Sequence, residues 1–383
     1  MTTGIFIDDD ETQQTVISAL LAESGIDFSR IVEPTKISEI KARILELAPD
    51  IIVMDYRLDE VRKEGFDSDF RAGGLAQVLR ETFLDHPEKD APIVLLSTET
   101  NIRNLFTPDK TSHDLFDMWF LKGTVQSTNK SEKGRVFDAL SGLISGYSDI
   151  KRIRDGTEPA SLVRSLLNVN EEEFSRIQSD GLKPLIVNAA GEAEATHLIA
   201  RHFLSRLIRR PGILLDECSL RAKLGIAEGD TEGFKTLSEA AGFNAFLYDG
   251  IFAGGWRRYW RHRFNSWAAQ TIDQPLSGMT ATKRIEDLNT KFGLKLVPAV
   301  SRWSGSSDEY FAVACRVCHN PTELRHSVAC FDPLIAVYME RGRICYDCVD
   351  KQDELDRIQI RIDENDEKLV DDIRSNRLKR PNE

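Results

Sequence analysis

Four short apolar runs mark the first third of the chain, and each is followed by a polar residue. The runs are Gly4–Ile7, Asp50–Met54, Pro92–Leu96 and Met118–Leu121. Uninterrupted runs of this length are typical of parallel strands that are buried on both faces. After the first run, Thr12–Glu23 carries apolar residues at helical spacing. The pattern therefore predicts alternating strands and helices, as in an α/β domain with a doubly wound parallel sheet.

Polar residues stand where these predicted strands end: Asp8, Asp9, Asp55, Ser97 and Lys122. Ligands of open parallel sheets bind beyond the carboxyl ends of the strands, so we expect these side chains to converge. Three carboxylates in one crevice repel one another, which predicts a divalent cation such as Mg²⁺. With a cation and the Lys122 ammonium neutralising charge, Asp55 can act as a nucleophile toward a phosphoryl group. Ser97 would then hydrogen-bond the new phosphoryl oxygens.

The residues DDD at 8–10, PDIIVMD ending at Asp55, PIVLLS ending at Ser97 and WFLK ending at Lys122 together resemble the receiver domain of response regulators. The resemblance covers residues 1–150 and implies a flavodoxin-like fold and a role in two-component signalling. It implies that Asp8 and Asp9 hold Mg²⁺ with Asp55, which accepts phosphate from a histidine kinase or phosphotransfer protein. It further implies that Ser97 is the switch hydroxyl, Trp119 the switch aromatic and Lys122 the phosphoryl contact.

Two features depart from the receiver pattern. A charged segment, DEVRKEGFDSDFRA, is inserted between Leu58 and Gly73, and Gly123 stands where a proline usually follows the lysine. Neither change removes a chemical group from the predicted site. The alternative interpretation is a flavodoxin-like domain in which the acidic residues only cap loops.

Residues 151–305 are predicted to form a mainly helical domain of unknown type. Within it, aromatic residues recur at intervals of four, four and three at Trp256, Trp260, Phe264 and Trp267, which predicts one helical face. Arg257, Arg258, Arg261 and Arg263 lie between them. Aromatic and arginine side chains together can bind nucleic acid, but stripes of this kind are more often part of a core.

Five of the six cysteines lie between Cys315 and Cys348. Cys315 and Cys318 form one CxxC pair, Cys345 and Cys348 form another, and 26 residues separate the pairs. Two such pairs supply the four thiolates of a tetrahedral Zn²⁺ site, which predicts a structural zinc module over residues 306–350 similar to zinc ribbons and treble clefs. A redox function is the rival interpretation. Cys330, His319 and His326 are spare candidate ligands.

Residues 351–383 are predicted to form a polar C-terminal helix. Near-heptad apolar positions occur at Leu355, Ile358, Ile362, Leu369 and Ile373. They allow either a homodimer through a coiled coil or packing of the helix on its own zinc module.

Composition narrows the functional classes. At 383 residues the chain is long enough for about two or three domains. The formal net charge of −12 argues against wholesale coating of nucleic acid. No apolar run approaches the roughly 20 residues of a membrane span, and the N-terminus lacks a secretory signal pattern. We therefore expect a cytoplasmic protein without a membrane partner.

The leading hypothesis is a signalling protein, not an enzyme, in which phosphorylation of Asp55 changes how the helical and zinc-binding regions contact a protein partner. One alternative is a DNA- or RNA-binding regulator that uses residues 256–267 and the zinc module. Another is an enzyme whose activity lies in residues 151–305.

Overall fold

The computed structural model describes most of the chain, and the statements below concern the described residues. They are 2–31, 36–59, 70–98, 100–101, 115–177, 182–188, 190–272, 274–301, 309–332, 335–336, 338–357, 360–375 and 377–378. Most of the insertion after Leu58, residues 60–69, lies outside them, as does Ile358 of the near-heptad positions. None of the described helices is both long and apolar enough to cross a bilayer.

The chain divides into two compact units, and neither is continuous in sequence. The first contains Met1–Glu171, Leu182–Ser205 and Asp249–Trp256. The second contains Glu172–Gly181, Arg206–Tyr248 and Arg257–Glu383. The predicted boundaries at 150, 305 and 350 stay predictions.

The first unit is built on a five-stranded parallel sheet. Its strands are β1 (Thr3–Ile7), β2 (Asp27–Ile31), β3 (Ile51–Met54), β4 (Ile93–Ser97) and β5 (Met118–Leu121), in the spatial order β2-β1-β3-β4-β5. This order confirms the predicted flavodoxin-like sheet. Sequence patterns missed β2, because this edge strand mixes polar and apolar residues. The predicted apolar runs form β1, β3, β4 and β5, and β3 and β4 are buried along their whole length.

Helices flank this sheet: α1 (Glu11–Ala22), α2 (Ile37–Leu47), α3 (Ala72–Asp85), α4 (Lys122–Gln126) and α5 (Lys130–Gly156). The Asp10 side chain accepts hydrogen bonds from the backbone of Thr12 and Gln13 and so caps α1. Helix α5 has 27 residues and closes the α/β part of the first unit. Asn129 caps its start in the same way.

A buried polar network ties α3, β5 and α5 together. Arg80 of α3 donates a 2.7 Å hydrogen bond to Asp117, which precedes β5. Tyr147 of α5 donates to the same carboxylate at 2.7 Å, and the backbone N–H of Ile93 does so at 2.8 Å. Each charge is therefore hydrogen-bonded, which is what a buried ion pair requires.

Helix α5 also contacts the segment Asp249–Trp256 within the first unit. A Cβ atom at Gly142 would lie 2.4 Å from the Cα of Gly255, and one at Gly146 would lie 2.2 Å from the Phe252 ring. Glycine is needed at both places because any side chain would overlap these neighbours. The first unit further contains α6 (Leu162–Leu167), α8 (Lys183–Ile186) and α9 (Thr196–Phe203).

The described part of the second unit contains the remaining helices and three pairs of short strands. Its main helices are α10 (Glu217–Leu224), α11 (Thr231–Ala240), α12 (Arg261–Thr271) and α13 (Ala281–Phe292). Helix α7 (Glu171–Arg176) begins at the last residue of the preceding segment of the first unit. Strands β6 (Leu214–Leu215) and β7 (Tyr259–Trp260) pair in antiparallel orientation. The predicted helical character of the middle region is confirmed.

The expected single helical face over residues 256–267 is wrong. Helix α12 begins at Arg261, because Trp260 belongs to β7 and pairs with Leu214. Trp260 and Phe264 are fully buried. Trp267 stacks on Phe264 at a ring distance of 5.9 Å. The aromatic residues at 260, 264 and 267 are thus parts of the core of the second unit.

The cysteine-rich region forms two small antiparallel pairs. Strands β8 (Val313–Ala314) and β9 (Pro321–Thr322) make one, and β10 (Ser327–Ala329) and β11 (Arg343–Cys345) make the other. The C-terminal region contains α14 (Gln352–Arg357) and the C-terminal helix α15 (Glu367–Arg374), with a bridge at Ile362 between them. Leu355, Val370 and Ile373 are buried in the same cluster as the cysteines. This favours packing on the zinc module over a free coiled coil.

Candidate functional site

The predicted site residues of the first unit lie at one end of the sheet. Asp8 and Asp9 follow β1, Asp55 follows β3, Ser97 is the last residue of β4, and Lys122 follows β5 as the first residue of α4. Strands β1 and β3 are neighbours at the point where the strand order reverses, which is where ligands of such sheets bind. The end of β1 is therefore adjacent to the end of β3.

Lys122 joins two of the carboxylates. Its Nζ atom lies 2.8 Å from Asp8 Oδ2 and 3.3 Å from Asp55 Oδ1. Asp8 is 3% exposed and Asp55 is 6% exposed, so both charges are largely removed from water. The ammonium thus bridges the ends of β1 and β3 and partly neutralises the crevice.

The backbone fixes the position of Asp55. Its N–H donates to Ile7 O at 2.9 Å, and its Oδ2 accepts from the Arg57 N–H at 3.3 Å. Its Oδ1 is buried and accepts no well-aligned hydrogen bond from the described residues, although Lys122 lies nearby. A buried carboxylate oxygen with unused acceptor capacity is compatible with a hard cation or an incoming electrophile.

The surroundings of Asp8 favour its protonated form. Burial raises its pKa to about 6, although the hydrogen bond from Lys122 acts in the opposite direction and the Asp55 charge adds to the increase. For Lys122, burial acts to lower the pKa, but Asp55 and Asp8 outweigh it and raise the pKa. Lys122 therefore stays charged in the crevice, and a second cation would further reduce the repulsion between the carboxylates.

Ser97 is fully buried, and its Oγ accepts a 3.4 Å hydrogen bond from Asn101 Nδ2. Sequence reasoning missed Asn101, since nothing in its spacing marks it as a contact of Ser97. Trp119 pairs with Leu95 along the sheet and packs, partly buried, against the core of the first unit. Asp9 is 8% exposed.

The four cysteines of the two CxxC pairs come together in the second unit. The sulfur atoms of Cys315, Cys318, Cys345 and Cys348 all lie within 4.8 Å of one another. The Cys318 and Cys345 sulfurs lie 3.7 Å apart. In the described part of the chain, a search for three or more His, Cys, Asp or Glu side chains close enough to share one metal ion finds these four cysteines.

Backbone and amide donors orient the sulfurs. The Cys315 sulfur accepts from the N–H of Cys345 at 3.3 Å and of Val317 at 3.4 Å, and the Cys318 sulfur accepts from Asn320 Nδ2 at 3.4 Å. Hydrogen bonds with the other three thiols lower the pKa of Cys318, whereas those of Cys345 with its three neighbours raise its pKa. Four thiolates so close together require a cation, and the cluster fits tetrahedral Zn²⁺.

The spare candidate ligands lie outside this group. Burial raises the pKa of Cys330 to about 11, so its thiol stays protonated at neutral pH. His326 instead has its Nδ1 2.7 Å from Glu323 Oε2, and His319 is exposed. The four-cysteine set is therefore complete without them.

The arginines of residues 257–263 have partners within the protein. Arg263 bonds Glu173 through Nε at 2.6 Å and Nη2 at 2.9 Å, and Arg261 pairs with Glu340 at 2.6 Å. Arg258 donates to Ile208 O at 2.5 Å. Because Arg261 and Arg263 are paired with carboxylates and Arg258 with a carbonyl, these three side chains are poorly placed to bind phosphates, and the nucleic-acid hypothesis loses part of its support.

Comparisons with known proteins find similarity only to solved structures. No protein-family model matches the chain, and no curated protein matches it closely enough in sequence to count as a relative. Among solved structures, a mutant of RitR is 14% identical over 40% of this chain and 57% of that chain, with a TM-score of 0.29. The chain thus spans little more than half the length of that protein.

Two further similar structures are receiver domains. The BeF3-activated N-terminal receiver domain of RstA from Klebsiella pneumoniae is 19% identical over 35% of this chain and 95% of that chain, with a TM-score of 0.24. A response regulator receiver domain protein from Clostridium thermocellum is 12% identical over 35% of this chain and 93% of that chain, with a TM-score of 0.25. These values are too low to indicate an activity. The strand order and the residues at the strand ends make the N-terminal part of this chain similar to receiver domains.

Proposed function

We propose that this chain is a response-regulator-like signalling protein whose Asp55 accepts a phosphoryl group from a histidine kinase or phosphotransfer protein. The observation that carries the proposal is the Lys122 ammonium, which lies 2.8 Å from Asp8 and 3.3 Å from Asp55 at the switch point of the sheet. A carboxylate nucleophile beside a fixed ammonium matches the requirements of phosphoryl transfer.

In the proposed reaction an Asp55 carboxylate oxygen attacks the phosphorus atom of the donor. The new bond makes an acyl phosphate, the bond from phosphorus to the donor breaks, and the donor leaves with the bonding electrons. Lys122 neutralises charge on the phosphoryl oxygens and stays paired with Asp8. Asp8, Asp9 and Asp55 would hold Mg²⁺, which supplies further positive charge to those oxygens.

Ser97 and Trp119 are the proposed response elements. Ser97 would donate its hydroxyl to a phosphoryl oxygen, while Asn101 already donates to the Ser97 oxygen at 3.4 Å. Movement of Ser97 toward the phosphoryl group would change the packing around Trp119 on the neighbouring strand β5. In this account the chain is a phosphoacceptor and not an enzyme.

We further propose that the four cysteines hold a structural Zn²⁺ in the output part of the chain. Four protein ligands leave no open coordination position, which is typical of zinc that stabilises a fold. A protein partner is the proposed target of this region. We put forward no second function, because Arg261 and Arg263 are paired with carboxylates.

The phosphorylation proposal is tested by incubating the full chain with acetyl phosphate and Mg²⁺ and measuring intact mass. We expect wild type and Asp85→Asn to gain one phosphoryl group and Asp55→Asn to gain none. Asp85 is a matched control because it is an exposed carboxylate at the end of α3. No uptake by wild type, or uptake by Asp55→Asn, would contradict the proposal.

A further inference from the structure

The second unit contains a cavity that the proposed signalling function does not use. Its volume is about 610 Å³, and it is bounded by α12, by residues 274–277 and by Phe311 and Ala312. This volume lies in the range of sites for small organic molecules. Apolar side chains form much of the wall, including Phe264, Ala268, Ile272 and Leu276.

Three cationic side chains also line this cavity: Lys223 of α10, Arg261 of α12 and Arg284 of α13. Arg284 is the most unusual, since it is only 1% exposed. It donates to the backbone oxygens of Lys223 at 2.8 Å and Phe311 at 2.9 Å. Its Nε atom is buried and has no hydrogen-bond partner among the described residues.

Charges around the cavity are unbalanced. Lys223 and Arg261 share a single carboxylate, Glu340, at 2.9 Å and 2.6 Å. Arg284 pairs with no carboxylate in the described part of the chain, because both of its partners are neutral carbonyls. A buried guanidinium normally has a carboxylate partner, since desolvation of an uncompensated charge is unfavourable. Among the described residues, Glu340 is therefore the carboxylate paired with these three cations, and Arg284 has neutral partners.

The pKa values of Arg284 and Lys223 also indicate that these cations are incompletely compensated. Burial lowers the pKa of Arg284 to about 10. Burial also lowers the pKa of Lys223, and the neighbouring charges of Arg261 and Arg284 add to this effect although Glu340 opposes it. A bound anion would offset the unfavourable burial of these cations.

We propose that this cavity binds a small amphipathic anion, with a carboxylate or phosphate group near Arg284, Arg261 and Lys223 and an apolar body against Phe264 and Leu276. Arginine binds both types of oxyanion through charge-assisted hydrogen bonds. The apolar wall excludes small hydrophilic anions as preferred ligands, because they would leave it uncovered. The site would give the second unit a ligand input separate from Asp55.

The first test is calorimetric titration of the full chain with octanoate and octyl phosphate, which have the same apolar body and differ in the anionic group. Octanol and octylammonium are the neutral and cationic controls. We expect at least one anion to bind with one-to-one stoichiometry and octanol to bind at least about tenfold more weakly. Equal affinity for octanol and the anions, or no binding of either anion, would overturn the proposal.

The second test locates the site. Arg261→Gln removes one positive charge at a side chain that is 38% exposed. Ala268→Leu adds side-chain atoms to the wall and so reduces the cavity volume. We expect each to weaken binding of the better anion at least about tenfold. Lys283→Gln is the matched control on α13, where Lys283 pairs with Asp287 away from the cavity, and it should leave affinity unchanged. Unchanged affinity in the folded Arg261→Gln protein rules out the cationic site even if Ala268→Leu does not fold.

Discussion

Lys122 donates a hydrogen bond of 2.8 Å to Asp8 and so ties the end of β5 to the end of β1. Its ion pair with Asp55 is longer, at 3.3 Å. The ammonium is therefore held mainly by Asp8, which leaves it able to follow charge that develops on a phosphoryl group at Asp55. Asp8 positions the cation as well as contributing a carboxylate to the proposed Mg²⁺ site.

Replacing Lys122 by Met should slow phosphorylation of Asp55 by acetyl phosphate about 100-fold, because the positive charge opposite the phosphoryl oxygens is lost. The measurement is the rate of mass increase with time at fixed Mg²⁺. Lys130→Met, which changes an exposed lysine at the start of α5, is the control and should react at the wild-type rate. Equal phosphorylation rates for Lys122→Met and Lys130→Met would show that Lys122 does not assist the reaction.

Zinc content should depend on the four clustered cysteines and not on Cys330. We expect Cys345→Ser to lose stoichiometric zinc and to lose protection of residues 313–349 from proteolysis, because the remaining three thiols bind the metal less tightly. Elemental analysis after dialysis measures the metal. Cys330→Ser is the matched control, since Cys330 is buried in the same cluster but is not one of the four. Loss of zinc from folded Cys330→Ser would show that the ligand set is different.

Two glycines of the same helix should respond in opposite ways to alanine. Gly142→Ala places a Cβ atom 2.4 Å from Gly255 and should lower the free energy of unfolding by about 1 to 3 kcal/mol. Gly134→Ala meets no atom within 4 Å and should raise it by up to about 1 kcal/mol, because alanine favours helix. Urea unfolding of both proteins makes the comparison. A stabilising effect of Gly142→Ala would mean that the contact with Gly255 is absent in solution.

The second unit should lose stability in acid through Glu173. Hydrogen bonds from Arg263 and, less strongly, His262 lower the pKa of Glu173 below its ordinary value of 4.5. A lowered pKa in the folded state contributes stability above the unfolded pKa, and this is lost as pH falls through the folded pKa. Wild type should therefore exceed Glu173→Gln in stability at pH 7, and the difference should shrink below about pH 4.

Amide hydrogen exchange in α12 measures that difference, because Arg263 and His262 belong to this helix. Glu172→Gln is the neighbouring control, since Glu172 pairs with Arg176 at an exposed position. It should show the same pH dependence as wild type. A constant gap between wild type and Glu173→Gln from pH 7 to pH 3 would contradict the assignment to this carboxylate.

The sequence predicted those features that depend on local pattern. Uninterrupted apolar runs located four of the five strands, and the polar residues after them identified Asp8, Asp55 and Lys122, because parallel strands place their ends together. The CxxC spacing likewise identified the cysteine cluster. In contrast, the edge strand β2 has a mixed pattern and was missed.

Features that arise from tertiary packing could not be predicted in this way. The spacing of Trp256, Trp260 and Phe264 fits a helix, but pairing of Trp260 with Leu214 makes a strand before the helix begins. Nothing in the sequence around Arg284 shows that it is buried, because its burial depends on the carbonyl of Phe311, which lies 27 residues away. Long-range pairing decides both cases.

The position of Asp249–Trp256 in the first unit has a consequence for biosynthesis. Helix α5 ends at Gly156, and the segment that covers Gly142 and Gly146 follows about one hundred residues later. Proteins are synthesised from the N-terminus at roughly 5 to 20 residues per second. Several seconds therefore pass between synthesis of α5 and synthesis of the Asp249–Trp256 segment that packs on it. The sheet can form early on the ribosome, but the last segment of the first unit is synthesised only after the Glu172–Gly181 and Arg206–Tyr248 segments of the second.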